Sequence, residues 1–249
     1  MADRVIVITG ASSGIGAALA VLLAARGDSL VLAARRQNAL EGVAARCHGR
    51  ARPVVADVTR RGDVQRIVDA ALETFGRIDV WINNAGQGIT RLPSELTDED
   101  VDGMIAVNVK SALYGMQQVL PHFKARGAGH IINVSSMLGR IPYAVPRSAY
   151  SAAKHFLNAL TTMLREEVAE THPGIHVSLV SPGVVYTSFG LNARHGGPDS
   201  RDLPAGQSAE EVAEVIAGVI ESRLPDVYTR AGFHERVVRY YETLGQDPP

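Results

Sequence analysis

Residues 5–16 read VIVITGASSGIG, an apolar and β-branched run followed by a loop with glycine at Gly10, Gly14 and Gly16. Such a run is the pattern of a strand buried on both faces, as the strands of parallel sheets are. Glycines directly after it let the chain turn tightly and bring backbone N–H groups at the start of a helix up to a pyrophosphate. The spacing is G-x-x-x-G-x-G, not the G-x-G-x-x-G of the general dinucleotide fingerprint. Taken alone, the loop therefore admits a purely structural turn as well as a nucleotide site.

The alternation continues outward from this stretch. A helical pattern over 14–26 precedes SLVLAA (29–34), and one over 37–47 precedes PVVAD (53–57). A helix ending near Phe75 leads to IDVWIN (78–83), and a long helical region, 97–126, leads to HIINVS (130–135). The helix carrying Tyr150 runs to about 171, where HPG is a stop signal. HVSLVS (176–181), a helix over 208–223 and a short DVYT (226–229) complete the series, and HERVVRYYETLG gives an amphipathic ending. Apolar strands alternating with helices predict an α/β fold with a parallel sheet covered on both faces. Right-handed crossovers make that sheet doubly wound. There is no linker, repeat or low-complexity stretch, so 1–249 reads as a single domain. The least regular segment, within about 188–207, reads as a flexible substrate loop.

Composition narrows the function classes. A chain of 249 residues, 46% hydrophobic and 20% charged, is long enough to bury a substantial core. The formal net charge of −1, with both signs interleaved, gives no basic surface for nucleic acid or an anionic membrane. A single cysteine, Cys47, excludes an internal disulfide. The apolar run in MADRVIVITG is too short for a secretory leader, and no stretch has the 18 or so apolar residues of a membrane span. These features predict a cytoplasmic protein. The eight histidines form neither HExxH nor close pairs with cysteine, so no metal site is expected. His195, inside the irregular loop, is a minor candidate for touching substrate.

A second stretch, YSAAK (Tyr150 to Lys154), places a phenol and an ammonium one turn apart on one helix face. A cation at that distance stabilises phenolate, and a phenol brought down from its usual pKa of about 10 becomes a usable general base. The same spacing also occurs on exposed helices with no chemistry.

TGASSGIG, the NNAG of Asn83 to Gly86, a serine ahead of YxxxK, and PGVVYT (Pro182 to Thr187) occur in the order of the short-chain dehydrogenase/reductase family, which the chain resembles over about residues 4–187. The resemblance implies a Rossmann-type sheet and hydride transfer between a nicotinamide cofactor and a carbonyl/alcohol pair. It divides the domain into a cofactor half, about 1–135, and a catalytic and substrate half, about 136–249. It implies that Tyr150 exchanges a proton with the substrate oxygen and that Lys154 lowers the Tyr150 pKa and holds the nicotinamide ribose. Ser136 then orients the substrate oxygen, and Asn108 positions water in a relay to the lysine. Ser136 lies one position further from Tyr150 than the family's commonest spacing; the literal count lands on Met137, which donates no hydrogen bond. Pro142 and Pro146 between them suit a one-residue loop insertion, and Ser136, second of its pair, is preferred to Ser135.

For the cofactor, the resemblance implicates Gly10, Ser12, Ser13, Gly14, Ile15 and Gly16 around the phosphates. Asn84, Ala85 and Gly86 take the ribose side, Asp57 and Val58 the adenine. Pro182, Gly183, Val185 and Thr187 take the nicotinamide side, together with Tyr150 and Lys154. Asp57 reads alternatively as a helix cap, although Thr59 is better placed for that. In dinucleotide folds an acid at the end of the second strand binds the ribose 2′-hydroxyl of NAD. That position is Ala34 here, followed by Arg35 and Arg36, which suit a 2′-phosphate; NADP(H) is the expected cofactor. Gln87, Ser136, Met137, Leu138, Tyr143, Gly183 and Phe189 are expected to line the substrate pocket, and their mostly apolar character favours a hydrophobic carbonyl compound. The family's helical interface implies a homo-oligomer, with a dimer favoured over a tetramer. Two other readings keep the fold: an enzyme without net oxidation, of dehalogenase or epimerase type, and a non-enzymatic nucleotide sensor.

Overall fold

The computed structural model describes residues 3–245; the ends of the expected domain, 1–2 and 246–249, lie outside them. In chain order the regular elements are β1 (Val5–Thr9), α1 (Gly14–Ala25), β2 (Ser29–Ala34), α2 (Gln37–Ala45), β3 (Ala51–Val55), α3 (Arg61–Phe75) and β4 (Val80–Asn83). There follow α4 (Asp98–Ile105), α5 (Ser111–Arg126), β5 (Gly129–Val134), α6 (Ser148–Thr171), β6 (Ile175–Ser181), α7 (Ala209–Ser222), β7 (Asp226–Tyr228) and α8 (Phe233–Glu242). All strand pairs are parallel, in the order β3-β2-β1-β4-β5-β6-β7, the doubly wound arrangement.

Successive residues of a strand face opposite sides of the sheet. Both sides of the central strands are apolar here, so two cores form. Ile6, Ile8, Leu30, Leu32, Ile82 and Ile132 pack on one side with α1 and α7, through Leu19, Leu23, Val212 and Ile216. Val7, Val31, Trp81 and Ile131 pack on the other with α3, α5 and α6, through Ile67, Val119, Phe123 and Val168.

Several element bounds shift by one or two residues from the sequence reading, and two regions differ for a physical reason. β3 starts and ends two residues earlier than PVVAD, because Asp57 folds back to accept bonds from the Thr59 backbone and hydroxyl. Helix α3 then begins at Arg61, with Arg60 and not Thr59 at its N-cap. The expected 97–126 helix is continuous but passes through a π-turn at Ala106–Lys110. It starts in a capping box between Thr97 and Asp100.

At the opposite end of the sheet from the C-terminal strand edge, His130 is buried with only one of its two ring nitrogens satisfied. The Ser178 hydroxyl donates to the Leu224 carbonyl at 2.7 Å, so it accepts from His130 Nε2–H at 2.8 Å. His130 is thereby the neutral Nε2–H tautomer, and its buried Nδ1 has no partner among the described residues. Burial, helped by His176 and Arg223, pushes the imidazole down to about 3. An unfolded histidine titrates near 6.5, so below that pH the unfolded chain binds the extra proton and the native chain does not. Stability is therefore lost as pH falls from 6.5 towards 3, by about 2 kcal/mol at pH 5 from this residue. Urea unfolding at pH 7 and pH 5 should show the wild type losing about 2 kcal/mol more than His130→Gln; equal losses would remove His130 from the acid response.

Candidate active site

The cleft lies over the C-terminal ends of the strands, where β1 and β4 part company, and has a volume of about 490 Å³. Their ladder ends at Ile8 and Ile82, after which β1 leads into α1 and β4 into the NNAG loop. The Thr9 hydroxyl donates to the Ile82 carbonyl (3.2 Å) and accepts from the Asn84 and Ala85 N–H groups (3.0 and 3.2 Å). Asn84 Nδ2 donates to the Thr9 and Gly10 carbonyls at 2.9 and 3.3 Å. The fit is close enough to require glycine: a Cβ on Gly10, whose φ is +66°, would lie 2.8 Å from the Ala85 Cα. A Cβ on Gly16 would lie 2.6 Å from both Asn84 Nδ2 and the Gly10 carbonyl. Gly16 thus packs α1 against the turn and does not line the cleft, contrary to its expected place at the phosphates.

A bound anion suits this turn. Ser13, at the α1 N-cap, makes no side-chain capping bond, and the first turn carries no acid. The helix N–H groups therefore lack the usual side-chain acceptors. Gly10, Ser12, Ser13, Gly14 and Ile15 line the cleft there, and the Thr187 methyl closes over Gly14, 3.2 Å from where a Cβ would stand. Further along lie Ala34, Arg35, Arg36, Asp57 and Val58. Arg36 Nη2 donates to the Ser12 and Ser13 hydroxyls at 3.1 and 2.7 Å, so the guanidinium rests on the glycine loop. Both arginines are exposed, with no carboxylate paired to either among the described residues.

At the other end, β5 and α6 bring Ser136, Tyr150 and Lys154 together. The ammonium of buried Lys154 donates to the Val134 carbonyl at 2.9 Å and lies 5.7 Å from the centre of the Tyr150 ring. Burial pushes Lys154 down to about 8. It pushes Tyr150 up to about 12, against the lowering effects of a Ser136 hydrogen bond and the nearby Arg147; Tyr143 adds to the rise. This runs against the sequence expectation of a phenol lowered by Lys154: desolvation outweighs the Ser136 hydrogen bond and the Arg147 charge. Around neutrality Tyr150 holds its proton and can donate it. The two serines diverge: Ser135 Oγ bonds to Asn158, which in turn donates to the Gly139 carbonyl, whereas Ser136 Oγ accepts from the Leu138 N–H and faces Tyr150.

Asn108 sits in the π-turn, buried, and does not reach the cleft. Its Oδ1 accepts from the Gln87 N–H (3.2 Å) while Nδ2 donates to the Gln87 and Met104 carbonyls (3.0 and 3.2 Å). In this arrangement the amide braces the segment after NNAG. Of the expected pocket residues, Gln87, Ser136, Leu138, Tyr143, Gly183 and Phe189 line the cleft. Met137 does not: it is buried, with its N–H paired to the Pro182 carbonyl. Asn84, Ala85, Gly86, Pro182, Val185 and Thr187 line the cleft as well.

The segment 190–206 is irregular apart from a short 3-10 turn at Ser200–Asp202. His195 Nε2 lies 2.7 Å from Asp100 Oδ1, which also takes Arg194 Nε at 2.7 Å. His195 therefore ties the segment to α4 and is not part of the cleft lining. Sequence reasoning missed Arg147, Ser188, Asn192, Ser200 and Leu203, all of which line the cleft. Arg147 alone carried a signal, a cation three residues before Tyr150.

A sequence profile described as short chain dehydrogenase matches residues 4–196. An uncharacterized oxidoreductase of Staphylococcus aureus (strain MW2) is 38% identical over 218 residues, 85% of this chain and 90% of that protein. Among solved structures, a short chain dehydrogenase/reductase from Burkholderia phymatum in complex with NAD superimposes with a TM-score of 0.88 at 26% identity, covering 100% of this chain and 99% of that one. An alcohol dehydrogenase from Thermococcus sibiricus complexed with 5-hydroxy-NADP does so with a TM-score of 0.80 at 28% identity, covering 92% and 97%. With its profile match, its parallel sheet and its cleft at the parting of β1 and β4, the chain belongs to the short-chain dehydrogenase/reductase family.

Proposed function

We propose that the protein is an oxidoreductase that transfers hydride between NADP(H) and a carbonyl/alcohol pair on an apolar substrate. The observation that carries this reading is one continuous cleft with an anion-receptive glycine turn and two arginines at one end and Ser136, Tyr150 and Lys154 at the other. Related structures carry NAD in one case and 5-hydroxy-NADP in another, so the family accommodates either cofactor. The choice here rests on Ala34, Arg35 and Arg36.

When bound, the nicotinamide donates a hydride to the carbonyl carbon or takes one from the alcohol carbon. Ser136 holds the substrate oxygen beside the phenol, and Tyr150 gives that oxygen its proton as negative charge develops on it. A phenol pushed up by burial stays protonated until that moment. Lys154, brought down to about 8, exchanges protons near neutrality and reaches the ribose side of the cleft beside Gly86. Asn108 contributes by fixing the Gln87 backbone. The half of the chain up to about residue 135 binds cofactor, and the remainder supplies chemistry and substrate contacts. On α6, Phe156 and Met163 are exposed seven residues apart, on one helix face, which suits a homodimer.

Following NADPH absorbance against a panel of aldehydes and ketones tests the reaction. Tyr150→Phe should lower turnover by about two to four orders of magnitude while cofactor binding survives; near-normal turnover would reject Tyr150 as the acid. Ser136→Ala should cripple the rate and Ser135→Ala should do far less, and the opposite ranking would exchange their roles. Charged hydrogen bonds contribute about 1.5–3 kcal/mol, so Arg35→Ala should weaken NADPH roughly 10- to 150-fold and leave NADH nearly unchanged. A wild type that prefers NADH would overturn the choice of cofactor. Light scattering at micromolar concentration should give about twice the chain mass of 26.6 kDa, and a single-chain mass would reject the dimer.

A further inference from the structure

Three charged residues, Arg35, Arg36 and Asp57, line the end of the cleft beside the glycine turn, and Lys154 lies beside Gly86. At the substrate end one charged side chain remains, Arg147, just ahead of α6. Its guanidinium occupies a slot that exists because two residues have no side chain. A Cβ on Gly88 would stand 3.1 Å from Nη1, and one on Gly197 would stand 3.0 Å from Nη2. The Phe189 ring, 3.0 Å from that same Gly88 position, forms the adjoining wall and meets the Tyr150 ring edge-on with centroids 5.5 Å apart. The cation is therefore one aromatic ring removed from the reacting phenol, and the two groups interact electrostatically.

No described residue answers this charge. Nη1 donates to the Ile89 carbonyl at 3.1 Å, and no carboxylate lies within ion-pair distance of Arg147 among the described residues. Asp100, the acid of this region, is occupied by Arg194, His195 and, at 3.7 Å, Arg91. Beside Nη2, the buried Thr90 hydroxyl has no partner among the described residues, and it stands 2.8 Å from the Gly197 Cβ position. A half-buried cation with spare donors is costly unless an anion completes it. A neutral amide would serve equally well as the brace to Ile89, so bracing does not account for the charge. Guanidinium matches a carboxylate through two parallel N–H donors.

We propose that Arg147 anchors a carboxylate on the substrate, so that the carbonyl compounds the enzyme reduces are oxo acids with an apolar body. This rests on the carbonyl-reductase reading above and specifies its substrate class. The carboxylate seats against Arg147, while the apolar body lies along Phe189 and Leu138 and the carbonyl oxygen reaches Ser136 and Tyr150.

The test compares 2-, 3- and 4-oxo acids bearing a phenyl group with their methyl esters, with NADPH as reductant. The wild type should favour at least one acid over its ester in kcat/KM. Arg147→Gln keeps an N–H donor for Ile89 without the charge and should lower that acid-to-ester ratio about 10- to 150-fold, mainly through the KM of the acid. Arg147→Lys should retain part of the ratio. A wild type that prefers every ester, or a ratio unchanged in Arg147→Gln, overturns the proposal. Calorimetry with 3-phenylpropanoate and 3-phenylpropanamide, in the presence of saturating NADPH, reads the anchor without turnover. The carboxylate should bind more tightly to the wild type and lose that advantage in Arg147→Gln; equal binding of acid and amide overturns the anchor. Loss of all turnover alongside selective carboxylate binding would count against the reductase reading and leave the anchor standing.

Discussion

Everything in the cleft depends on how two neighbouring parallel strands separate. Where β1 and β4 turn away from each other, their ladder stops and leaves backbone donors and acceptors with no strand to pair with. Buried groups of that kind are costly unless satisfied. Thr9 and Asn84 satisfy them with side chains, one hydroxyl and one amide serving five backbone groups across the gap. The opening stays narrow because Gly10 and Gly16 allow the turn to lie directly on the NNAG segment. A wedge of ordered backbone results, with the free end of α1 pointing into it.

The second half of the site is held by a different means. Helix α6 carries Tyr150 and Lys154, and buried polar bonds pin it to β5. Trp81 Nε1 donates to Asn83, Asn83 to Asn133, and Asn133 to Thr161 of α6, at 2.8, 2.8 and 2.9 Å. Ser151 bonds the Leu138 carbonyl and Asn158 the Gly139 carbonyl, so the segment with Ser136 is tied to the same helix. A buried network satisfied along its length specifies one position in a way that apolar packing alone does not. Such a network keeps a desolvated phenol and a desolvated amine in register, although each is held in water-poor surroundings that disfavour its charge.

The architecture was legible because the central strands are apolar on both faces, a pattern that a strand acquires when helices cover its sheet on either side. It was blurred where the physics is local. β3 is an edge strand, half exposed and carrying Pro53, so its apolar residues do not mark its limits. Ile78 is buried like a strand residue, yet its N–H goes to the His122 ring and not to a ladder. Motif spacing pointed to residues around the cleft but not to the direction each faces. Gly16 and Met137 lie behind the cleft surface they were expected to line, and Asn108, expected to hold water for a relay, gives its amide to the Gln87 and Met104 backbone. Arg147 gave little sign of itself because its slot is built by Gly88 and Gly197, residues distant in the chain that only the fold brings together.

The π-turn at Ala106–Lys110 has a consequence for the helix that contains it. One residue inserted into a run with 3.6 residues per turn rotates everything downstream by about 100°. Upstream, Met104 packs with Ile89 and Tyr150 beneath the cleft; downstream, Met116, Val119 and Phe123 pack on the sheet. The insertion is the phase correction that lets one unbroken rod serve two layers whose directions do not share a helical repeat. Excising a single residue there would leave the hydrophobic composition intact while turning the α5 stripe a quarter-turn off the sheet, so this helix tolerates exchange of side chains far better than any change in its length.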